Sequence, residues 1–251
     1  MKIIYLIQRF LPEIGGSELH VYNLGKRLAK RHNVAVFTFG RQRESYWLDG
    51  IKVERFPSLI VNWGTGFTNL SSSIARGLLK EGLSADIIHT HCYGFSQTEL
   101  ALRLGKVLRK PVLVTTHYDR AAPASTFAAL RRFVYDSFIG IPALRLAKGI
   151  IALSRCEKDL LNKRFGIPSD RISIIPNGVD LLKFSALPSP EPLVEHLGLS
   201  GYNVILFVGR MEQKKGVQYL VRAMPTILSV QPKSKLLLAG PDRGYARELK
   251  R

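Results

Sequence analysis

Cysteine is scarce, long apolar runs are missing and acidic residues are few, and each shortage closes off a class of function. The 251 residues include two cysteines, Cys92 and Cys156. Their separation gives neither a zinc-ligand spacing nor a disulfide framework, which suits two ordinary thiols in a reducing compartment. Residues 3–7 are the only apolar run near the start, too short for a secretory leader. The nearest approach to a membrane span, residues 138–153, is interrupted by Pro142, Arg145 and Lys148. A cytoplasmic protein is therefore expected. Acidic residues number 19 against 37 lysines and arginines, a net charge of +18 spread along the chain. Such a charge attracts nucleic acid, anionic lipid or a phosphorylated substrate. No recognised nucleic-acid motif or array of stacking aromatics accompanies it, so nucleic acid is not an expected partner.

What is present is an alternation of strand and helix patterns. With 46% hydrophobic residues the chain is globular, and its length allows one large domain or two ordinary ones. Residues 2–9 read as a strand, 15–18 as a glycine turn, and 19–30 as a helix with Leu19, Val21, Leu24 and Leu28 on one face. Ser17 is the expected N-cap. Gly15 and Gly16 let the backbone approach a ligand, although a turn plus a cap explains them equally well; GxGxxG is absent. Strands follow at 33–39, 51–56, 85–92, 111–116, 149–154 and 172–175, with helices at 69–83, 97–109 and 155–165. Between them, residues 126–147 form a partly irregular helical region. Ser154 and Gly166 bracket the 155–165 helix as cap and stop. The proline-rich stretch 187–192 cannot be regular structure, which places a domain boundary near Leu182.

Beyond that boundary, NVILFVGRMEQKKG (residues 203–216) carries the clearest chemistry. Residues 204–208 read as a strand buried on both faces of a parallel sheet, and Gly209 turns the chain at its carboxyl end, where open α/β sheets bind ligands. Arg210 can grip two phosphate oxygens with its planar fork, and Lys215 adds a movable positive charge for a departing diphosphate. The bland alternative is a solvated basic loop. Three histidines stand at strand ends. His89 and His91, two apart, face one side of their strand and are read as packing or substrate contacts, since no third ligand supports a metal. His117 is either an ordinary hydrogen-bonded histidine or a ligand contact.

Taken together, GGSE (15–18), THYD (116–119), IPNGVDLLKF (175–184), VGRMEQKKG (208–216) and LLLAGP (236–241) resemble retaining glycosyltransferases of family four. The resemblance implies an α/β, GT-B architecture: a complete Rossmann-like parallel-sheet domain, residues 1–182, on the acceptor side, followed by the first βαβ unit of a nucleotide-sugar-binding domain, residues 183–251. It implies a nucleotide diphosphate sugar as co-substrate, with no other cofactor, and a carbohydrate, lipid-linked or small-molecule acceptor. Gly15, Gly16, Arg210, Lys215 and Gly240 are carried over as donor-binding, His117 with Arg210 and Lys215 as catalytic, and Asn177, Gly178 and Asp180 as the hinge. No metal is expected, and the DxD signature of the other large glycosyltransferase fold is absent. In place of a covalent nucleophile, the family's scheme has the leaving phosphate help to deprotonate the acceptor on one face of the sugar. A lipid-linked acceptor would bring the basic first domain to an anionic membrane, through residues 102–110 and the Arg131, Arg132 pair. The family pattern continues past Gly240 and Pro241 with two sugar- and ribose-binding glutamates, so a truncated and, alone, inactive chain is expected. Alternatives are a non-catalytic acceptor-binding or scaffold remnant, and nucleic-acid binding.

Overall fold

The computed structural model describes residues 1–63, 66–118, 125–242 and 244–249. They divide into two compact units, Met1–Val179 and Asp180–Arg251.

The first unit is built on an eight-stranded sheet. Its strands are β1 (Lys2–Leu6), β2 (Asn33–Gly40), β3 (Glu44–Leu48), β4 (Ile51–Pro57), β7 (Ile87–His91), β8 (Val112–Thr115), β9 (Gly149–Ala152) and β10 (Ile172–Ile174). A separate antiparallel pair, β5 (Leu59–Trp63) and β6 (Gly66–Leu70), stands apart. The large sheet has the order β10-β9-β8-β7-β1-β2-β4-β3, parallel except for β3, which runs antiparallel along the edge of β4. Alternation along β1 explains why it is central: Ile3, Tyr5 and Ile7 enter one apolar core and Ile4 and Leu6 the other. Helices α1 (Gly16–Leu28), α2 (Ser72–Gly82), α3 (Ser96–Val107), α4 (Thr126–Tyr135), α5 (Ile141–Leu144) and α6 (Arg155–Phe165) complete the unit. A π-helical turn, Asp136–Gly140, joins α4 to α5, the irregularity expected in residues 126–147. The chain runs outward from β1 to β2 and β4, then returns to β7 on the other side. The crevice of this doubly wound sheet therefore opens beyond the carboxyl ends of β1 and β7.

The second unit contains α7 (Glu191–His196), β11 (Asn203–Val208), α8 (Val217–Val230), β12 (Ser234–Ala239) and α9 (Ala246–Leu249). β11 and β12 pair in parallel over their whole length. Here the expectation that residues 204–208 are buried on both faces is corrected: Leu206 is 57% and Val208 74% exposed. A central parallel strand needs a neighbour on each edge and a helix on each face. Among the described residues, β12 alone pairs with β11.

Of the expected helix caps, the pair bracketing α6 is found and the one at α1 is not. Ser154 does cap α6, its Oγ accepting from the Glu157 amide at 3.1 Å, and Gly166 ends that helix in the left-handed conformation. Ser17, however, is not the N-cap of α1: the cap is Gly15, and Ser17 lies within the first turn with its hydroxyl donating to Glu18 Oε2 at 3.0 Å. Extended backbone at Gly15, not the nearest hydroxyl, fixes where the helix starts.

Candidate functional site

Four histidines converge at the crevice of the first unit. β7 delivers His89 and His91 from one face of the strand, and β8 runs through Thr115 and Thr116 to His117. α1 contributes His20 from its first turns. His20 was not singled out from sequence, because its partners are distant along the chain. Its ring lies 5.5 Å from that of His91 and 5.7 Å from that of His117. His89 and His91 stack at 4.4 Å, and Tyr5 of β1 lies 5.2 Å from His89. The contacts that fix these rings are specific: His91 Nδ1 and His117 Nε2 share a hydrogen bond of 3.1 Å, and His89 Nε2 lies 2.9 Å from Thr115 Oγ1. The His91 carbonyl accepts from Gln97 Nε2 and Thr98 Oγ1 of α3, so the end of β7 is tied to a helix.

Burial keeps the cluster neutral. It lowers the pKa of His89 to about 3 and of His117 to about 4, and places His91 well below the ordinary range, with mutual repulsion reinforcing the shift. His20, nearer the surface, is lowered by the same cause. Neutral imidazoles can donate one hydrogen bond and accept another, which suits contact with hydroxyls. His117 and Cys92 both have positive φ, 44° and 71°. Such backbone is strained for residues with a side chain and persists where surrounding contacts impose it.

Glu157, also missed from sequence, imposes it at His117. From the first turn of α6 its carboxyl accepts from Thr116 Oγ1 (2.5 Å), the Tyr118 amide (2.7 Å) and the Leu153 amide (2.6 Å). These contacts hold the residues on both sides of His117 and the end of β9 together. Asp119, the last residue of the THYD stretch, lies outside the described residues. Gly15 and Gly16 sit at the amino end of α1, whose first amides point outward. Glu18 leans over Gly15 so closely that a Cβ there would stand 2.3 Å from Oε2.

Arg210, Lys215 and Gly240 belong to the second unit, and the structure brings them to the carboxyl ends of β11 and β12. Arg210 Nη1 pairs with Glu212 Oε1 at 3.1 Å, and Lys214 reaches the other oxygen of Glu212 at 3.7 Å. Lys215 closes a 3₁₀ turn (Gln213–Lys215), and Gly216, with φ of 76°, starts α8. At Gly240, φ is 144° and a Cβ would lie 2.0 Å from the Gly209 carbonyl oxygen, so the two strand ends touch backbone to backbone. Asn177, Gly178 and Asp180 lie in the irregular segment where the two units divide. Among the described residues, no group of three or more His, Cys, Asp or Glu side chains is arranged to hold a metal ion, and no helix is long and apolar enough to cross a membrane.

Comparison with known proteins bears on the family and the fold. The model of Glycosyltransferase Family 4 matches residues 14–182, and that of Glycosyl transferases group 1 matches residues 202–251. The chain is 26% identical to the GDP-mannose:cellobiosyl-diphosphopolyprenol alpha-mannosyltransferase of Xanthomonas oryzae pv. oryzae, covering 96% of this chain and 60% of that protein. It is also 26% identical to the alpha-maltose-1-phosphate synthase of Mycolicibacterium smegmatis, over 89% of this chain and 57% of the relative. The fold is similar to that of Anabaena HepE in complex with UDP, with a TM-score of 0.73, 20% identity, and coverage of 100% of this chain and 65% of the other. The chain thus spans about three-fifths of the length of these relatives.

Proposed function

The chain belongs to glycosyltransferase family 4, and on that premise we propose that it serves transfer of a sugar from a nucleotide diphosphate sugar to a carbohydrate or lipid-linked acceptor. The observation that carries this reading is the placement of Arg210 and Lys215 at the carboxyl end of β11, beside the start of α8. There they meet a diphosphate as paired cations, with Gly240 allowing close backbone approach. In the reaction, the bond between the anomeric carbon and the diphosphate oxygen breaks as the acceptor oxygen bonds to that carbon. The acceptor proton passes to the leaving phosphate, on the same face of the sugar. Arg210 and Lys215 stabilise the charge that develops on the diphosphate. His117 hydrogen-bonds the sugar or orients the acceptor, the amides at Gly15 and Gly16 approach the donor phosphates, and Asn177, Gly178 and Asp180 act as the hinge. Nothing in this scheme requires a metal or a further cofactor.

An acceptor on a diphosphopolyprenol, as in the name of the Xanthomonas relative, favours a second element of the reading: contact with an anionic membrane surface. α4 supports it. Phe127, Leu130 and Val134 recur along one exposed stripe that Phe138 continues, beside Arg131. Residues 102–110 support it less, because Leu102 is buried in the core. Incubating the protein with radiolabelled UDP-, GDP- and ADP-sugars and extracted lipid and oligosaccharide acceptors tests the reading. Retention of at least one labelled donor by the protein is the expected result, with transfer not required of this chain alone; retention of none would refute it.

A further inference from the structure

His91 has no place in the reaction as proposed, yet it is fully enclosed and makes a directed contact with a residue that does. We infer that His91 is a positioning residue: its Nδ1–H donates to Nε2 of His117 and holds His117 as the Nδ1–H tautomer, which offers a hydrogen-bond donor, not a base, to a sugar or acceptor oxygen.

The inference starts from proton counting. Two neutral imidazoles sharing one hydrogen bond have two arrangements. In the first, His91 Nδ1 donates, the lone pair of His91 Nε2 faces the interior, and His117 carries its remaining proton on Nδ1. In the second, His117 Nε2 donates, His91 carries its proton on Nε2, and His117 Nδ1 is a bare acceptor. His91 Nε2 is buried without a hydrogen-bond partner among the described residues. The second arrangement therefore buries an unpaired N–H, a group that native structures almost never tolerate, whereas an idle acceptor lone pair is met more often. That difference opposes the slight preference of each free ring for the Nε2–H form and outweighs it, because a buried acceptor is left idle more readily than a buried donor. The groups facing the pair are His20 from α1, His89 from β7 and Tyr5 from β1, and none of them carries a charge that would protonate either ring. Desolvation keeps both rings neutral at pH 7, so the choice between the two arrangements persists there. His117 Nδ1 has no partner among the described residues and stays available to a ligand.

That the ligand oxygen is a sugar's rests on the transferase reading; the tautomer does not. It is read directly, with no sugar nucleotide added, from nitrogen-15 ring correlations of the whole chain at pH 7.5. His117 is expected to carry its proton on Nδ1. His91→Asn, whose amide donates from nearly the same position, should leave that pattern in place. His91→Asp, which offers an acceptor only, should move the His117 proton to Nε2 or add a second one. A wild-type His117 protonated on Nε2 alone would overturn the assignment, and so would an unchanged His117 in a folded His91→Asp protein. If the aspartate variant does not fold, the wild-type spectrum decides by itself.

Discussion

Buried titratable residues make stability depend on pH in two opposite directions. The histidines of the cluster have folded-state pKa values below their ordinary 6.5, so below pH 6.5 the unfolded chain binds more protons and stability falls as pH is lowered towards about 4. Glu99 behaves inversely. Buried in α3, it has its pKa raised from 4.5 to about 8, so its contribution is whole below 4.5 and is lost as pH climbs to 8. Between 4.5 and 6.5 the histidines outnumber the single carboxyl, which predicts maximal stability near pH 6.5. Urea midpoints measured across pH 4–9 check this, and Glu99→Gln should flatten the alkaline side and steepen the rise between pH 4.5 and 6.5. Glu157 supplies a second test. Glu157→Ala leaves three donors around His117 without their acceptor, and should lower unfolding stability by about 2–4 kcal/mol in the same urea experiment. Neither effect was legible in the sequence. A lone glutamate in a polar helix looks solvated, and a histidine at helix position 20 gives no sign that it meets strand ends some seventy and more residues away.

At the scale of elements, the sequence was readable wherever the signal was local. Ser154 and Gly166 marked α6 because capping chemistry acts within four residues, and β1 and β8 showed through because strands buried on both faces are mostly apolar. β3 escaped because ESYWL, at a sheet edge and largely exposed, has neither pattern, and the β5–β6 pair because it lies outside the main sheet. β11 misled in the other direction: its apolar run is real, but its burial depends on layers that the strand itself does not encode. The exposed stripe of α4 makes a prediction of its own. Replacing Phe127 and Phe138, 74% and 72% exposed, with serine should leave folding intact while reducing flotation with vesicles rich in anionic lipid, by about tenfold or more. Equal recovery of wild type and variant, or equal recovery on neutral and anionic vesicles, would remove the membrane from the proposal.

For the whole molecule, the two units differ in how completely they are enclosed. Among the described residues, the first has an eight-stranded sheet with apolar cores on both faces, whereas the second has two strands with Leu206 and Val208 open to solvent. Amide exchange should therefore run faster in β11 and β12 than in β1 and β7, by about tenfold or more. Yet it is the less enclosed unit that carries Arg210 and Lys215, and the proposed function stands or falls with them. The most direct measurement is titration of the 251-residue chain, and of an Arg210→Ala, Lys215→Ala double variant, with UDP-glucose, GDP-mannose and ADP-glucose at low and physiological salt. Binding of at least one donor is predicted, weakened by salt and reduced about thirtyfold or more in the double variant, equivalent to about 2 kcal/mol. Equal affinity of wild type and variant for every donor, or no binding of any donor at low salt, would contradict diphosphate recognition at this strand end.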